Sequence, residues 1–167
     1  GRLPFGIHLM IGKNYTVFLS DTTVNERPSA EELAVIAKET AAVARRLGHE
    51  PRVAFLSYAT FGNPPGRWLD SIRGAVAILD AENPGFEYEG EMTVDVALNA
   101  DVMAQYPFCR LTGPANILVV PARHSASISV KLMQEMAGAT VIGPILTGVT
   151  KPIQICSTNS TVNDILN

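Results

Sequence analysis

With 167 residues, the chain is long enough for one ordinary domain with a real core, or for two small lobes. Hydrophobic residues make up 47% and charged residues 17%, a balance that excludes intrinsic disorder. The net charge of −3, from 13 basic and 16 acidic side chains without a basic block, leaves a nucleic-acid or anionic-membrane partner without support.

No run approaches the ~18–20 apolar residues of a membrane span, and the first residues lack a signal-peptide pattern. Cys109 and Cys156 are far apart and lack metal spacing, so a reduced, cytoplasmic setting is expected. The start lacks Met, and Thr161 to Asp164 reads as a capping box with only Ile165, Leu166 and Asn167 after it. A helix that short is marginal alone. Both ends are therefore expected to be cuts inside a longer protein.

Thr16 to Ser20 is a β-prone run ending at Asp21, and Asp21 to Pro28 is a polar loop. Ser29 caps a helix with Glu32 as the reciprocal acceptor. Leu33, Ile36, Thr40, Val43 and Leu47 then recur at helical spacing up to Gly48, which ends the helix. Arg52 to Ser57 is the next strand, running into a Pro/Gly-rich turn from Tyr58 to Gly66. A helix follows over Arg67 to Ala81, with Trp68, Ile72, Ala75, Val76 and Leu79 on one face. Phe86 to Glu91 reads as a weak edge strand, and Ala100 to Tyr106 as a short helix.

Asn116 to Pro121 is the strongest strand, and its unbroken apolar run predicts burial on both faces. Ser125 to Ala137 is a helix carrying Ile128, Leu132 and Met136. Val141 to Leu146 and Pro152 to Ile155 are further apolar segments. Strands alternating with helices argue an α/β layered fold with a largely parallel sheet. In such sheets ligands gather at the carboxyl ends of strands. Here those ends carry the loops Asp21–Pro28, Ser57–Gly66, Pro121–Ser125 and Cys156–Ser160.

There is no Gly-x-Gly-x-x-Gly after a strand, no P-loop, and no His/Cys/carboxylate cluster at metal spacing. His8, His49 and His124 are scattered, so each is expected in a plain polar role. Glu91 and Asp95 sit four apart and are expected to be solvated or capping rather than an acid/base pair. Cys156 reads as a small buried hydrophobe, and Trp68 and Phe61 as core or interface packing.

Four segments, in order over nearly the whole chain, resemble the phosphate acetyl/butyryltransferase family. They are Asp21-Thr-Thr-Val-Asn-Glu-Arg-Pro-Ser-Ala-Glu31, Glu89-Gly-Glu-Met-Thr-Val-Asp-Val-Ala97, Gly113-Pro-Ala-Asn-Ile-Leu-Val-Val-Pro121 and Gly143-Pro-Ile-Leu-Thr-Gly-Val-Thr-Lys-Pro-Ile153. Ser57-Tyr-Ala-Thr-Phe-Gly-Asn63 is similar to the form found in the C-terminal domain of bacterial hybrid NADP-dependent malic enzymes.

The resemblance implies a three-layer α/β/α phosphotransacetylase-like (isocitrate/isopropylmalate dehydrogenase-like) fold, present in part. Residues 1–152 would form the main lobe, and 153–167 the start of a return to a second lobe. The family moves an acetyl group between CoA and phosphate, which needs a base for the thiol and cations for the phosphate. The family's Ser-Arg-Gly-x-Ser-x-x-Asp segment falls on Ser157 to Asp164. Ser157 and Asp164 thus take the catalytic positions, while Thr158 stands where the phosphate-facing Arg would be. Loss of that guanidinium removes a bidentate clamp, and Ser127 and Ser129 also depart from the family's Asn-x-Gly.

The expected acyl-CoA contacts are Ser57, Thr60, Lys131, Ser157, Thr158, Asn159 and Ser160. The function implied is a non-catalytic, acetyl-CoA-sensing and oligomerising domain of a malic enzyme. A catalytic phosphate acetyltransferase and a ligand-free dimerisation module are the alternatives. Acetyl-CoA or CoA is the expected ligand and a homodimer or higher homo-oligomer the expected assembly. NADP and a divalent metal are expected only in the malic enzyme domain.

Overall fold

The computed structural model describes residues 2–138, 140–156, 158 and 160–166, of Asp164 the backbone alone. In chain order the strands are β1 (Phe5–Ile11), β2 (Thr16–Ser20), β3 (Arg52–Leu56), β4 (Glu87–Met92), β5 (Ile117–Val119) and β6 (Thr140–Thr147). The helices are α1 (Ala30–Arg46), α2 (Asp70–Glu82), α3 (Val94–Leu98), α4 (Ala100–Met103), α5 (Arg123–Ala137) and α6 (Val162–Leu166), with a 3-10 turn over Arg67–Leu69 before α2.

The sheet order is β4-β3-β5-β2-β1-β6. The pairs β4–β3, β3–β5 and β5–β2 are parallel, and β1 is antiparallel to both β2 and β6. Only β1 runs against the other five. The sheet is thus mostly parallel, and β4 is an edge strand, as its polar sequence predicts. Strand β1 had no counterpart in the sequence reading. Gly6 and His8 interrupt one face of it, which weakens an apolar run that on the other face supplies the buried Phe5, Ile7 and Leu9.

Alternation along the strands builds a core on each face of the sheet. Phe18, Val53, Phe55, Ile117 and Val119 meet α1 and α2 through Leu33, Ile36, Ile72 and Leu79. Val17, Leu19, Ala54, Leu56, Leu118 and Val120 meet α3, α4 and α5 through Val96, Met103, Ala126 and Val130. Three layers result, with β5 at the centre and its three residues buried. Burial of this kind stabilises by about 25 cal/mol per Å² of apolar surface, so the twin cores set the fold.

Helix α1 begins at the expected capping box. Ser29 Oγ accepts from Glu32 N at 3.2 Å, and Glu32 Oε2 accepts from Ser29 N at 2.8 Å. Helix α5 departs from expectation. It buries Ala126 and Val130, while Ile128, Leu132 and Met136 are 51, 52 and 81% exposed. Its small residues let it lie close on the sheet, so the larger apolar ones are left on the outer face. The segment Pro152 to Ile155 is no full strand; Gln154 alone bridges to Ile145 of β6.

Candidate functional site

The carboxyl ends of β2 and β5 are neighbours, and their loops are tied together. Val120 N donates to Ser20 O at 2.8 Å. The Arg123 guanidinium lies 2.7 Å from the Glu26 carboxylate, and Arg123 N donates to Glu26 O at 3.3 Å.

Asp21, 1% exposed, organises the first of these loops. Its Oδ1 accepts from Gly6 N, Thr23 N and Val24 N, and its Oδ2 from Asn25 N and Asn25 Nδ2, all at 2.6–3.2 Å. Five donors satisfy the buried carboxylate. Asp21 is therefore a loop anchor rather than a free base.

Thr22 comes next. Its Oγ1 lies 2.7 Å from His8 Nδ1 and 3.2 Å from Gly6 O. Burial first, then the charge of Lys131, pushes the His8 imidazolium down to about 4, so the ring is neutral at neutral pH.

Between these loops lies a hollow of about 300 Å³ lined by Thr22, Arg123, His124, Ser127 and Ile128. Lys131 is exposed one helical turn beyond Ser127 on α5, hence on the same flank of the helix. The hollow combines hydroxyls, a guanidinium, an imidazole and one apolar wall, at the start of a 15-residue helix. Such a lining suits an anionic ligand with an apolar portion. None of these lining residues carries a carboxylate, although the Arg123 guanidinium is paired with Glu26 beside the hollow. A larger hollow of about 410 Å³ is lined by Lys38, Arg45, Glu82 and Phe86 among others. It sits by the C-terminal half of α1, away from the strand carboxyl ends, and its Lys38 and Glu82 are already paired at 2.6 Å.

The expected contact residues divide. Ser57 is half-buried just past β3, its backbone N donating to Met92 O at 2.9 Å, and its hydroxyl has no partner among the described residues. Thr60 is 8% exposed and holds its loop: its Oγ1 accepts from Thr93 N at 3.0 Å and lies 3.1 Å from Thr93 Oγ1. Lys131 is exposed one turn beyond Ser127 on α5, with no ion pair among the described residues. Thr158 is exposed and Ser160 half-buried. Ser157, Asn159 and the Asp164 side chain lie outside the described residues.

Two further expectations are corrected, and for Trp68 the core alternative is set aside. Glu91 is not solvated but 2% exposed; it accepts from Gly62 N at 2.6 Å and from Arg73 Nε and Nη2 at 3.0 Å. Burial pushes its carboxyl up, but Arg73 and the backbone donors outweigh that and hold it below the usual range. Cys156 is exposed rather than buried. Trp68 lies outside the core, 52% exposed, with Arg27 and Arg67 over its ring. Thr22 and Arg123 have no individual signal in the sequence beyond their place in two loops that follow neighbouring parallel strands, and Ile128 reads there only as one of the apolar residues of α5.

Among the described residues no group of three or more His, Cys, Asp or Glu side chains could hold a metal ion. No described helix is long and apolar enough to cross a membrane.

The sequence pattern of the phosphate acetyl/butaryl transferases matches residues 4–167. The chain belongs to that family. Among curated relatives of this transferase family, an NADP-dependent malic enzyme of Rhizobium meliloti is 53% identical over the whole chain, which spans 22% of that protein. A phosphate acetyltransferase of Clostridium acetobutylicum is 38% identical over 93% of the chain, which spans 47% of it. A phosphotransacetylase structure from Streptococcus pyogenes superposes with a TM-score of 0.89 at 32% identity, covering 98% of this chain and 50% of that one. The chain thus spans about half of these two phosphotransacetylases and under a quarter of that malic enzyme.

Proposed function

We propose that the chain is the phosphotransacetylase-like C-terminal part of an NADP-dependent malic enzyme, and that it senses acetyl-CoA without catalysing acyl transfer. The observation that carries this reading is the 53% identity to a malic enzyme along the full chain. On this reading acetyl-CoA lies along the strand carboxyl ends, with Thr22, Ser127 and Lys131 in the hollow and Ser57 at the adjoining strand end.

Acyl transfer asks for a base at the thiol and a clamp on the phosphate. The resemblance keeps Asp164 at the base position, but it sets Thr158, exposed here, where the phosphate clamp would be. A neutral hydroxyl lacks the forked donors of a guanidinium. Binding that favours one state of an oligomer then biases malate decarboxylation in the attached domain. A bacterial cytoplasmic enzyme fits this role.

The test uses the full-length polypeptide. Acetyl-CoA is expected to give saturable heat by isothermal titration and to change malic enzyme activity by at least about fivefold, the lower range of allosteric coupling. Acetyl phosphate and CoA are expected to give no turnover. The 38% identity to an acetyltransferase supports the catalytic alternative, and robust acetyl-CoA synthesis would establish it instead.

A further inference from the structure

Arg123 opens α5, the helix after β5, and lines the hollow at the strand carboxyl ends. It supplies the guanidinium of that lining, the group that an anion entering the hollow would meet. That guanidinium is already engaged. Arg123 Nη2 lies 2.7 Å from Glu26 Oε1, and the Arg123 backbone N donates to Glu26 O at 3.3 Å. Glu26 belongs to the loop after β2 and is not itself part of the lining.

The start of α5 accounts for a carboxylate settling there. Ala122 at the N-cap offers no side-chain acceptor, and the first turn has no acidic residue of its own. The unpaired N–H groups and the dipole at such a start favour an anion. Glu26 brings that anion from the neighbouring loop, and an anionic ligand in the hollow asks for the same guanidinium. Nη2 is common to both bidentate forks of an arginine side chain. A second anion gripping Arg123 by either fork therefore stands close to the Glu26 carboxylate, and the like charges repel.

The pair is also easily opened. The Arg123 and Glu26 side chains are 41% and 79% exposed, a setting in which an ion pair is weak. The loop does not need the Glu26 carboxylate for its shape. Asp21 holds it through five donors, and the backbone bond from Arg123 to Glu26 leaves the side chain out.

We propose that Glu26 is an autoinhibitory latch: its carboxylate holds Arg123 until an anionic ligand in the hollow takes the guanidinium from it. The latch raises the ligand concentration at which the hollow fills. The ligand's identity as acetyl-CoA rests on the reading above, whereas the latch rests on the ion pair and the hollow.

Isothermal titration of the full-length protein with acetyl-CoA, and separately with inorganic pyrophosphate, tests the latch. Glu26→Gln is expected to tighten binding of both about three- to fivefold at low ionic strength, a gain that shrinks as salt is added. Arg123→Gln is expected to weaken both, and in that background Glu26→Gln is expected to change nothing. A contact that merely braced the two loops would behave oppositely, since its loss would leave affinity unchanged or lower. Glu31→Gln removes the same charge from the first turn of α1 and is expected to leave affinity unchanged. A gain that survives Arg123→Gln, or that Glu31→Gln matches, overturns the latch in favour of a general charge effect. Acetyl-CoA bound equally by the parent and Glu26→Gln overturns the latch and leaves the acetyl-CoA reading standing. Where acetyl-CoA gives no heat, that reading fails and pyrophosphate decides: tighter binding by Glu26→Gln keeps the latch, and no difference from the parent overturns it.

Discussion

Single residues in this chain show why charged side chains are hard to assign from sequence. Strand β4 reads Glu-Tyr-Glu-Gly-Glu-Met, which looks solvated, yet Glu89 and Glu91 are 6% and 2% exposed. Each is held by an arginine remote in sequence. Arg110 Nε and Nη2 reach Glu89 at 2.9 and 3.0 Å, and Arg73 reaches Glu91. Buried carboxylates persist only when paired and hydrogen-bonded, and pairing across 18 or 21 positions leaves no local pattern.

His8 gives a residue-scale prediction. Its folded pKa is about 4, against an ordinary value of 6.5. Above that ordinary value neither folded nor unfolded chain binds the proton. As pH falls through it, the unfolded chain takes up a proton that the folded chain refuses until about pH 4. Stability is therefore expected to fall by on the order of 2–3 kcal/mol across that window. Urea unfolding from pH 7 down to 5, above the range of the carboxylates, should show the slope in the parent chain and a flatter line in His8→Asn. Equal slopes would mean that His8 does not carry the effect.

At the scale of elements, what was legible followed periodicity and capping. The central strand β5, the edge position of β4 and the boundaries of α1 came directly from an apolar run, a polar strand and a capping box. Ser29→Ala removes the acceptor for Glu32 N and is expected to cost about 1 kcal/mol, or about 2–4 °C of melting temperature for a domain of this size. Glu32→Ala opens the same box from the other side, so the double variant should lose less than the sum of the two. Additive losses by calorimetry would show that the box does not act as a unit. Elements failed to read where tertiary context decided them. Strand β1 is diluted by Gly6 and His8, and α5 carries two apolar faces, of which the smaller-residue one meets the sheet.

That second face of α5 matters for the whole molecule. Ile128, Leu132 and Met136 recur every four residues and stand more than half exposed, a continuous stripe that water disfavours. Lys131 and Glu135, four apart on the same helix, are of opposite charge. A two-fold axis across the helix would place Lys131 of each copy against Glu135 of the other and bury both stripes together, as an isologous contact requires. We propose a second copy of the full-length protein as the partner of this face; the part of the longer polypeptide outside this chain is the other occupant the test separates. Sedimentation equilibrium of the full-length protein is expected to give a dimer for the parent and a monomer for Leu132→Glu, because an isolated carboxylate in an apolar contact is expelled rather than buried. A surface glutamate at this exposed site leaves the twin cores untouched, so circular dichroism should not change. A monomeric parent, or a Leu132→Glu variant that still dimerises, would refute the stripe as the interface. Ile128 belongs both to the stripe and to the wall of the hollow, so a ligand seated there touches the same helix that the second copy would cover.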